Sequence, residues 1–298
     1  MHTRSLTEPD LPELLELCRQ TLPLDTFSLP ILRSRIMDEP NRNPAYQLSA
    51  WEGSRLAAVL LGGTRESDDG TYGALRMFAV ASAFHRQGLA SRLLGELETR
   101  MRGDGLRTLR AGSAAPNYIW PGLDVRYTPA FCFLQKHGFE RTADAVNMDV
   151  DLRARDWSTA DMEARLGASF AVRRLEPGDR EPFEAWLQQW WGAGWRAEAL
   201  ASYGNDPIST FVATENDHIC AFASYNVAAL EGGFGPTGTE PPLQGRGLGR
   251  ILLFRCMDDL KQMGHSKAEI CWTGPISFYA RTAGAVMSRI FWSMEKQL

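Results

Sequence analysis

The sequence predicts an α/β protein, of the α+β kind with a mixed sheet, built as two tandem copies of one fold. Three observations lead there. At 298 residues the chain has the length of two ordinary domains. A strand, a glycine-containing loop and a helix occur twice at one spacing: Gly88 and Gly247 are 159 residues apart, and so are Val80 and Thr239. Two apolar stretches precede each loop, and a strand, a helix and a last strand come after each.

Thr3–Leu6 opens the first copy. Tyr46–Trp51 and Arg55–Leu61 are apolar stretches joined at Gly53, a hairpin pattern. Met77–Val80 is the strand before the loop, and the helix that begins at Ser91–Leu94 is amphipathic and ends near Gly103. Thr108–Ala111 is a short strand, Pro129–His137 an aromatic-rich helix and Ala145–Val150 a closing strand. The second copy runs in the same order: Phe170–Arg173, a hairpin of Thr210–Thr214 and Ile219–Asn226 turning at Asp217, the strand Pro236–Thr239, a helix from Arg250–Leu253 to near Gly264, then Ala268–Trp272, Ile276–Thr282 and Val286–Met294. Between the copies lies a charged stretch carrying Arg153, Arg155, Asp156, Asp161 and Glu163. The expected domains are therefore 1–150 and 168–298, with a linker over 151–167.

Composition narrows the function classes. Hydrophobic residues at 44% and charged residues at 23% are those of a globular protein. A net charge of −4 offers no basic stripe for nucleic acid. The five cysteines, Cys18, Cys132, Cys220, Cys256 and Cys271, are odd in number and scattered, which opposes a disulfide framework or a thiolate zinc site, and the histidines show no metal spacing. No bound metal is expected. The start of the chain lacks a signal peptide's apolar core, and the longest apolar run, Leu56–Leu61, is too short to span a membrane. A cytoplasmic protein is expected, with neither nucleic acid nor membrane as partner, as a monomer or a homodimer.

The loop is where chemistry concentrates. Backbone N–H groups in the first turn of a helix have no intrahelical partner, and the helix dipole adds partial positive charge, so such an end binds phosphate. Glycines let the backbone approach the anion. Gln244-Gly245-Arg246-Gly247-Leu248-Gly249-Arg250 supplies three glycines and two arginines at one helix start. A Walker A loop would need Gly-Lys-Ser/Thr, which is absent, and a dinucleotide fingerprint would need glycine where Arg250 stands. The hairpin before the loop also argues for a mixed sheet over a βαβ start.

Gln244–Gly249 matches the Q/R-x-x-G-x-G/A pattern of the GNAT acetyltransferase superfamily, and Phe278-Tyr279-Ala280-Arg281 resembles that family's F-Y-x-K/R helix motif. The resemblance covers nearly all of the second copy. It implies a mostly antiparallel central sheet flanked by helices in each copy, and acetyl-CoA as cosubstrate. The loop amides would hold the coenzyme A pyrophosphate, and the strand Thr237, Gly238 and Thr239 would bond the pantetheine arm beside a β-bulge. The first copy is similar but departs from the pattern. His85 stands in the Q/R position of His85-Arg86-Gln87-Gly88-Leu89-Ala90, with Phe78 and Val80 on the strand before it. Phe133-Leu134-Gln135-Lys136 carries leucine where the motif has tyrosine. The second copy is thus the expected catalytic one; the first lacks the motif phenol, yet Phe78, Val80 and the His85–Ala90 amides would still bind coenzyme A, an outline similar to tandem GNAT enzymes.

The implied reaction is attack by a neutral primary amine, expected to be that of a small molecule, on the thioester. Tyr279 is the candidate acid for the departing thiolate and Glu231 the candidate base, with Glu215, Asp217 and Glu269 as rivals. A backbone N–H near Gly238 or Thr239 would serve the oxyanion. The competing expectation is a non-catalytic acyl-CoA-binding or sensing module. Trp186, Trp190, Trp191 and Trp195 read as packing or as an aromatic wall for the acceptor. The loop Asn117–Asp124 falls where acceptor loops commonly lie in the family.

Overall fold

Helices form here where leucines recur at three- and four-residue intervals, and strands where apolar residues run between turn-forming glycines, asparagines and aspartates. The computed structural model describes residues 1–67, 70–112, 114, 117–227 and 231–298, which fall into two compact units. Unit 1 is Met1–Ala145 with Phe291–Leu298, and unit 2 is Val146–Ile290. In chain order the elements are β1 (His2–Ser5), α1 (Leu11–Thr21), α2 (Leu29–Leu32), β2 (Gln47–Glu52), β3 (Arg55–Ser67), β4 (Gly70–Val80), α3 (Leu89–Gly103), β5 (Thr108–Ala111), β6 (Leu123–Asp124), α4 (Thr128–Lys136) and β7 (Glu140–Asp151). They continue with α5 (Ala160–Glu163), β8 (Phe170–Arg174), α6 (Arg180–Trp190), α7 (Ala193–Ala201), β9 (Thr210–Glu215), β10 (His218–Tyr225), β11 (Gly233–Thr239), α8 (Leu248–Gln262), β12 (Lys267–Ile270), α9 (Ile276–Ala283) and β13 (Val286–Gln297).

In unit 1, β1 to β4 pair antiparallel in sequence order and β5 joins β4 in parallel. Helix α3 turns Leu89, Leu93, Leu94, Leu97 and Met101 inward, one stripe at helical spacing. Each fully buried leucine contributes about 1.5–3 kcal/mol. Met101 reaches the sheet because β3 and β4 carry glycine opposite it. A Cβ on Gly73 would lie 2.6 Å from the Met101 sulfur. Unit 2 repeats the plan, with β8 to β11 antiparallel, β12 parallel to β11, and α8 burying Leu248, Ile251, Leu252, Met257 and Leu260.

The units do not end at the boundaries expected from the sequence. Met294–Gln297 of β13 pairs antiparallel with Thr108–Ala111 of β5, so the end of the chain completes unit 1. Met148–Asp151 of β7 pairs with β12 and belongs to unit 2. An open strand edge leaves N–H and C=O groups unsatisfied, and a distant segment of the chain meets that need as well as a near one. The stretch 151–167 also differs from a passive linker. Trp157 is fully buried, edge-on to Phe254 at 5.0 Å, and its indole N–H donates to the Leu152 carbonyl; Glu163 pairs with Arg255 at 2.7 Å.

Two irregularities in each unit shape the sheet beside its glycine loop. The first is a bulge. The β3–β4 register shifts between Leu61↔Met77 and Gly62↔Leu75, leaving Arg76 as the bulged residue. The β10–β11 register shifts between Ala223↔Thr237 and Tyr225↔Phe234, at the matching place. The second is the loss of the parallel neighbour beyond the bulge. The β4–β5 pairing ends at Leu75↔Ala111 and the β11–β12 pairing at Phe234↔Ile270. Each sheet therefore splits just before its glycine loop.

Candidate active site

The two loops share one backbone. Arg86 and Gly88 have φ of 59° and 79°, and their counterparts Gly245 and Gly247 have 82° and 87°. This pair of left-handed residues turns the chain so that the first amides of α3 and of α8 face outward, clear of any intrahelical acceptor. A side-chain bond repeats as well. His85 Nε2 lies 2.9 Å from the Val80 carbonyl, and Gln244 Nε2 donates to the Thr239 carbonyl at 3.1 Å. Histidine thus does in unit 1 what glutamine does in unit 2, holding the loop to the end of the preceding strand. His85, Arg86, Gln87 and Gly88 are exposed, as are Gln244, Gly245, Arg246, Gly247 and Arg250, while Leu89 and Leu248 point into the cores, and Ala90 and Gly249 are half-buried.

The units part company along the split strand. In unit 1 a cavity of about 970 Å³ opens there. It runs from His85, Arg86, Gly88 and Ser91 past Leu75–Val80 to Trp120, Asp124, Tyr127 and Cys132, with Thr21, Leu22 and Pro23 on another wall. In unit 2 an indole packs on the equivalent strand, whose Thr237, Gly238 and Thr239 are half-buried. A Cβ on Gly238 would lie 2.4 Å from Trp191 Cζ2 and 2.6 Å from Cη2, so the indole rests directly on the backbone that was expected to bond the cofactor arm. Trp191 stacks on Trp195 at 5.0 Å and meets Trp186 and Phe222 edge-on. Trp191 and Leu22 hold the same place. Each comes directly after the first long helix of its unit, and each gives its N–H to a carbonyl one turn back, of Leu187 and Cys18 respectively. Leucine stands beside the cavity of unit 1 where tryptophan packs on the strand of unit 2. Within the cluster Trp186 and Trp191 are half-buried and Trp195 is exposed.

The residues expected to be catalytic in the second copy do not gather. Tyr279 is 4% exposed, packed edge-on against Phe234 at 6.0 Å, and burial pushes its phenol well above the usual range. Glu231 is exposed in the turn before β11, at the opposite end of that strand from Thr237, Gly238 and Thr239. Glu269 receives a bond from Asn147 at 2.6 Å, and Glu215 faces Arg246 at 3.8 Å.

Unit 1 instead assembles polar groups that the motifs did not reveal. Asp25 accepts from Trp120 Nε1 at 3.0 Å and from the Tyr127 phenol at 2.8 Å, fixing two walls of the cavity. Asp124 is held by Arg126 through both oxygens, at 2.9 and 2.7 Å. Beneath the bulge, Glu39 pairs with Arg65 and Arg76, each at 2.9 Å, and all three side chains are at most 2% exposed. The one trace of this in the sequence is an arginine between Leu75 and Met77, inside an otherwise apolar strand. Among the described residues, no group of three acidic, histidine or cysteine side chains could hold a metal, and no helix is long and apolar enough to cross a membrane.

Comparison with known proteins agrees with the two-copy fold. The model of the acetyltransferase (GNAT) family matches residues 11–119 and again 167–285. The chain belongs to the acetyltransferase (GNAT) family. Its enzyme class is that of the acyl-CoA-dependent N-acyltransferases. No curated protein sequence matches it. Among solved structures, a GCN5-related glucosamine N-acetyltransferase region of a fungal multi-domain GH3 β-N-acetylglucosaminidase superposes with a TM-score of 0.80 at 16% identity, covering 99% of this chain; the chain spans 38% of that protein. A tandem GNAT protein from the clavulanic acid biosynthesis pathway gives 0.70 at 15% identity, with 99% of this chain and 98% of that one covered. A GCN5-related N-acetyltransferase from Sphaerobacter thermophilus gives 0.69 at 17%, with 99% and 95% covered. At such identities the likeness of this GNAT protein to these structures is one of fold.

Proposed function

We propose that the chain transfers an acetyl group from acetyl-CoA to the primary amine of a small molecule, and that it does so in the groove of unit 1. One observation supports the assignment: the split strand lines a cavity beside Leu22 in unit 1, whereas Trp191 packs on the equivalent strand in unit 2. The residues present suit the cosubstrate. The outward amides of Gly88, Leu89 and Ala90, with Arg86 beside them, would hold a diphosphate, and the stretch Phe78–Val80 offers backbone groups to a pantetheine arm. Acetyl-CoA supplies the activated thioester.

The protein's own groups then have definite tasks. An amine must lose its proton to attack, since a lysine-like amine has a pKa of about 10.4 in water. Tyr127 lines the cavity with its phenol bonded to Asp25, a route by which that proton can leave. The nitrogen forms a bond to the carbonyl carbon, the carbon–sulfur bond breaks, and the thiolate takes up a proton. Leu134 is fully buried at the motif's tyrosine position, so the phenol of this groove is Tyr127.

Calorimetry with acetyl-CoA tests the reading. One site per chain is expected. The double substitution Leu22→Trp with Ala79→Gly, which copies the Trp191–Gly238 pair into unit 1, should weaken binding by about a hundredfold or more. Unaltered affinity in that variant would remove unit 1 as the site. Binding without acylation of any amine would favour a sensing module, the reading to which Leu134 lends itself.

A further inference from the structure

Apart from the glycine loop and the stretch Phe78–Val80, the lining of the unit 1 cavity is largely apolar and aromatic. Leu75, Ala111, Leu123, Trp120 and Tyr127 line it, with Leu22 on another wall. Gly112 and Gly122 line it too, and they lie in contact: a Cβ on Gly112 would stand 2.3 Å from the Gly122 Cα. Trp120 and Tyr127 are half-buried and firmly set. Both end on Asp25, one at each oxygen, at 3.0 and 2.8 Å, so the two rings flank one stretch of the cavity. The Leu24 N–H also donates to the Tyr127 phenol oxygen at 3.2 Å, and Phe27 meets Trp120 edge-on at 5.8 Å. Side chains already held in place lose little freedom when a ligand packs on them.

Charge on the lining is concentrated at the loop, where Arg86 is exposed. Elsewhere the charged residues of the lining are Arg76 and Asp124, whose side chains are each 1% exposed. Asp124 is held by Arg126 and Arg76 by Glu39. Asp25 gives one oxygen to each aromatic ring. Among the described residues, the lining beyond the loop therefore presents no exposed charged side chain. A carboxylate or a second ammonium on the acceptor would shed its water there without an ionic partner, which is costly. An apolar body gains from the same burial.

We propose that the acceptor is a primary amine on an uncharged apolar body, with an arylalkylamine the best fit, and that Trp120 is the residue that selects it. This rests on the assignment of the acyltransferase site to unit 1. With its nitrogen at the Tyr127 phenol, the amine carries its ring along Trp120, because both side chains end on the same carboxylate. Aromatic rings pack edge-on or offset with about 0.5–1.5 kcal/mol beyond their buried area, equivalent to about two- to twelvefold in affinity. The neutral amine bonds to the acetyl carbon through nitrogen and gives up one proton, the carbon–sulfur bond breaks, and the thiolate takes a proton. The products are the N-acetyl amide and coenzyme A.

The test offers a panel of primary amines to the full chain with acetyl-CoA and reads thiol release. 2-Phenylethylamine and tryptamine are set against ethylamine, tryptophan, 1,4-diaminobutane and glucosamine. A ring that loses about 100 Å² of apolar surface to the cavity gains about seventyfold. The expected preference for 2-phenylethylamine over ethylamine in kcat/KM is accordingly at least about tenfold. Along ethylamine, butylamine and hexylamine, each methylene should add up to about fourfold. Tryptamine should exceed tryptophan by at least about tenfold, since the added carboxylate finds no ionic partner. Trp120→Leu should shrink the ratio of 2-phenylethylamine to ethylamine by at least about fivefold, and Trp120→Phe should keep most of it. Each ratio is taken within one preparation, so the folded fraction cancels. Equal rates along the alkyl series overturn the proposal, as does a preference for tryptophan, the diamine or glucosamine, or a panel in which no arylalkylamine is acylated. Faster transfer from octanoyl-CoA than from acetyl-CoA to ethylamine also overturns it, because the apolar wall would then serve the acyl chain. Failure of the unit 1 assignment is read separately, by calorimetry, as unaltered acetyl-CoA affinity in the Leu22→Trp, Ala79→Gly variant; it would take this proposal with it, whereas a wrong acceptor class leaves that binding result as expected.

Discussion

If the Trp191 indole truly lies on the Gly238 backbone, adding one methyl group at Gly238 must collide with it. Gly238→Ala places a Cβ 2.4 Å from Cζ2, 2.6 Å from Cη2 and 2.9 Å from Cε2, all inside the closest contacts that carbon atoms make. The ring cannot easily retreat, being stacked on Trp195 and wedged against Trp186 and Phe222. The cost should be about 3 kcal/mol, the upper end for overpacking. Trp191→Leu alone should cost less than its size implies. Half a buried indole, about 100 Å², is worth about 2.5 kcal/mol at 25 cal/mol per Å². Against this, the indole N–H is buried without an acceptor among the described residues, and its removal returns about 1–3 kcal/mol. The net loss is about 1 kcal/mol. In the Trp191→Leu background the collision disappears, and Gly238→Ala should be neutral or slightly stabilising because alanine restricts the unfolded chain. The two substitutions are therefore coupled by about 3 kcal/mol. Scanning calorimetry reads this directly: Gly238→Ala should lower the transition of the unit by about 6–12 °C, and the double variant should melt no lower than Trp191→Leu. Additive losses in the double variant would refute the placement of Trp191, and with it the reason for assigning the open groove to unit 1.

The same geometry sets other expectations. Tyr279→Phe should leave turnover within about twofold, since that phenol is buried against Phe234; a tenfold or greater loss would return the chemistry to unit 2. Cys132 is exposed on the cavity wall, so a thiol reagent should label it in the native protein and saturating acetyl-CoA should slow that labelling. Cys18, whose thiol burial raises to about 12, should stay unreacted until the protein unfolds. The Arg4 guanidinium, bonded to both oxygens of Asp10, holds that carboxyl down at about 2. Because the folded pKa is depressed, this contribution is complete above about pH 4 and disappears as pH falls through about 2. Asp10→Asn should cost about 1 kcal/mol at pH 7, reduced by solvent screening at the 39% exposed Arg4, and only a small part of that at pH 2; a pH-independent cost in denaturant titrations would contradict the pairing.

Local periodicity and spacing were enough to read two copies of one fold, the hairpins, the helices after each loop and the loops themselves. Those features depend on residues within a turn or two of one another, and the two matched pairs of positive φ at 86 and 88 and at 245 and 247 bear out the repeat. The family was legible for the same reason, because its motif is a short run of residues at one helix start. Which copy holds an open groove was not legible. By motif the second copy is the better match, yet Trp191, 47 positions away in the chain from Gly238, packs on its strand. The exchange of terminal strands between the units escaped for the same cause, since a strand edge can be satisfied by any segment that reaches it. The Arg76–Glu39–Arg65 cluster joins residues from three separate segments, and only folding brings their charges under one wall. Sequence alone determined what each segment would become; packing over long separations decided what lies against each of the two similar strands, Leu22 beside a cavity in one and Trp191 on Gly238 in the other.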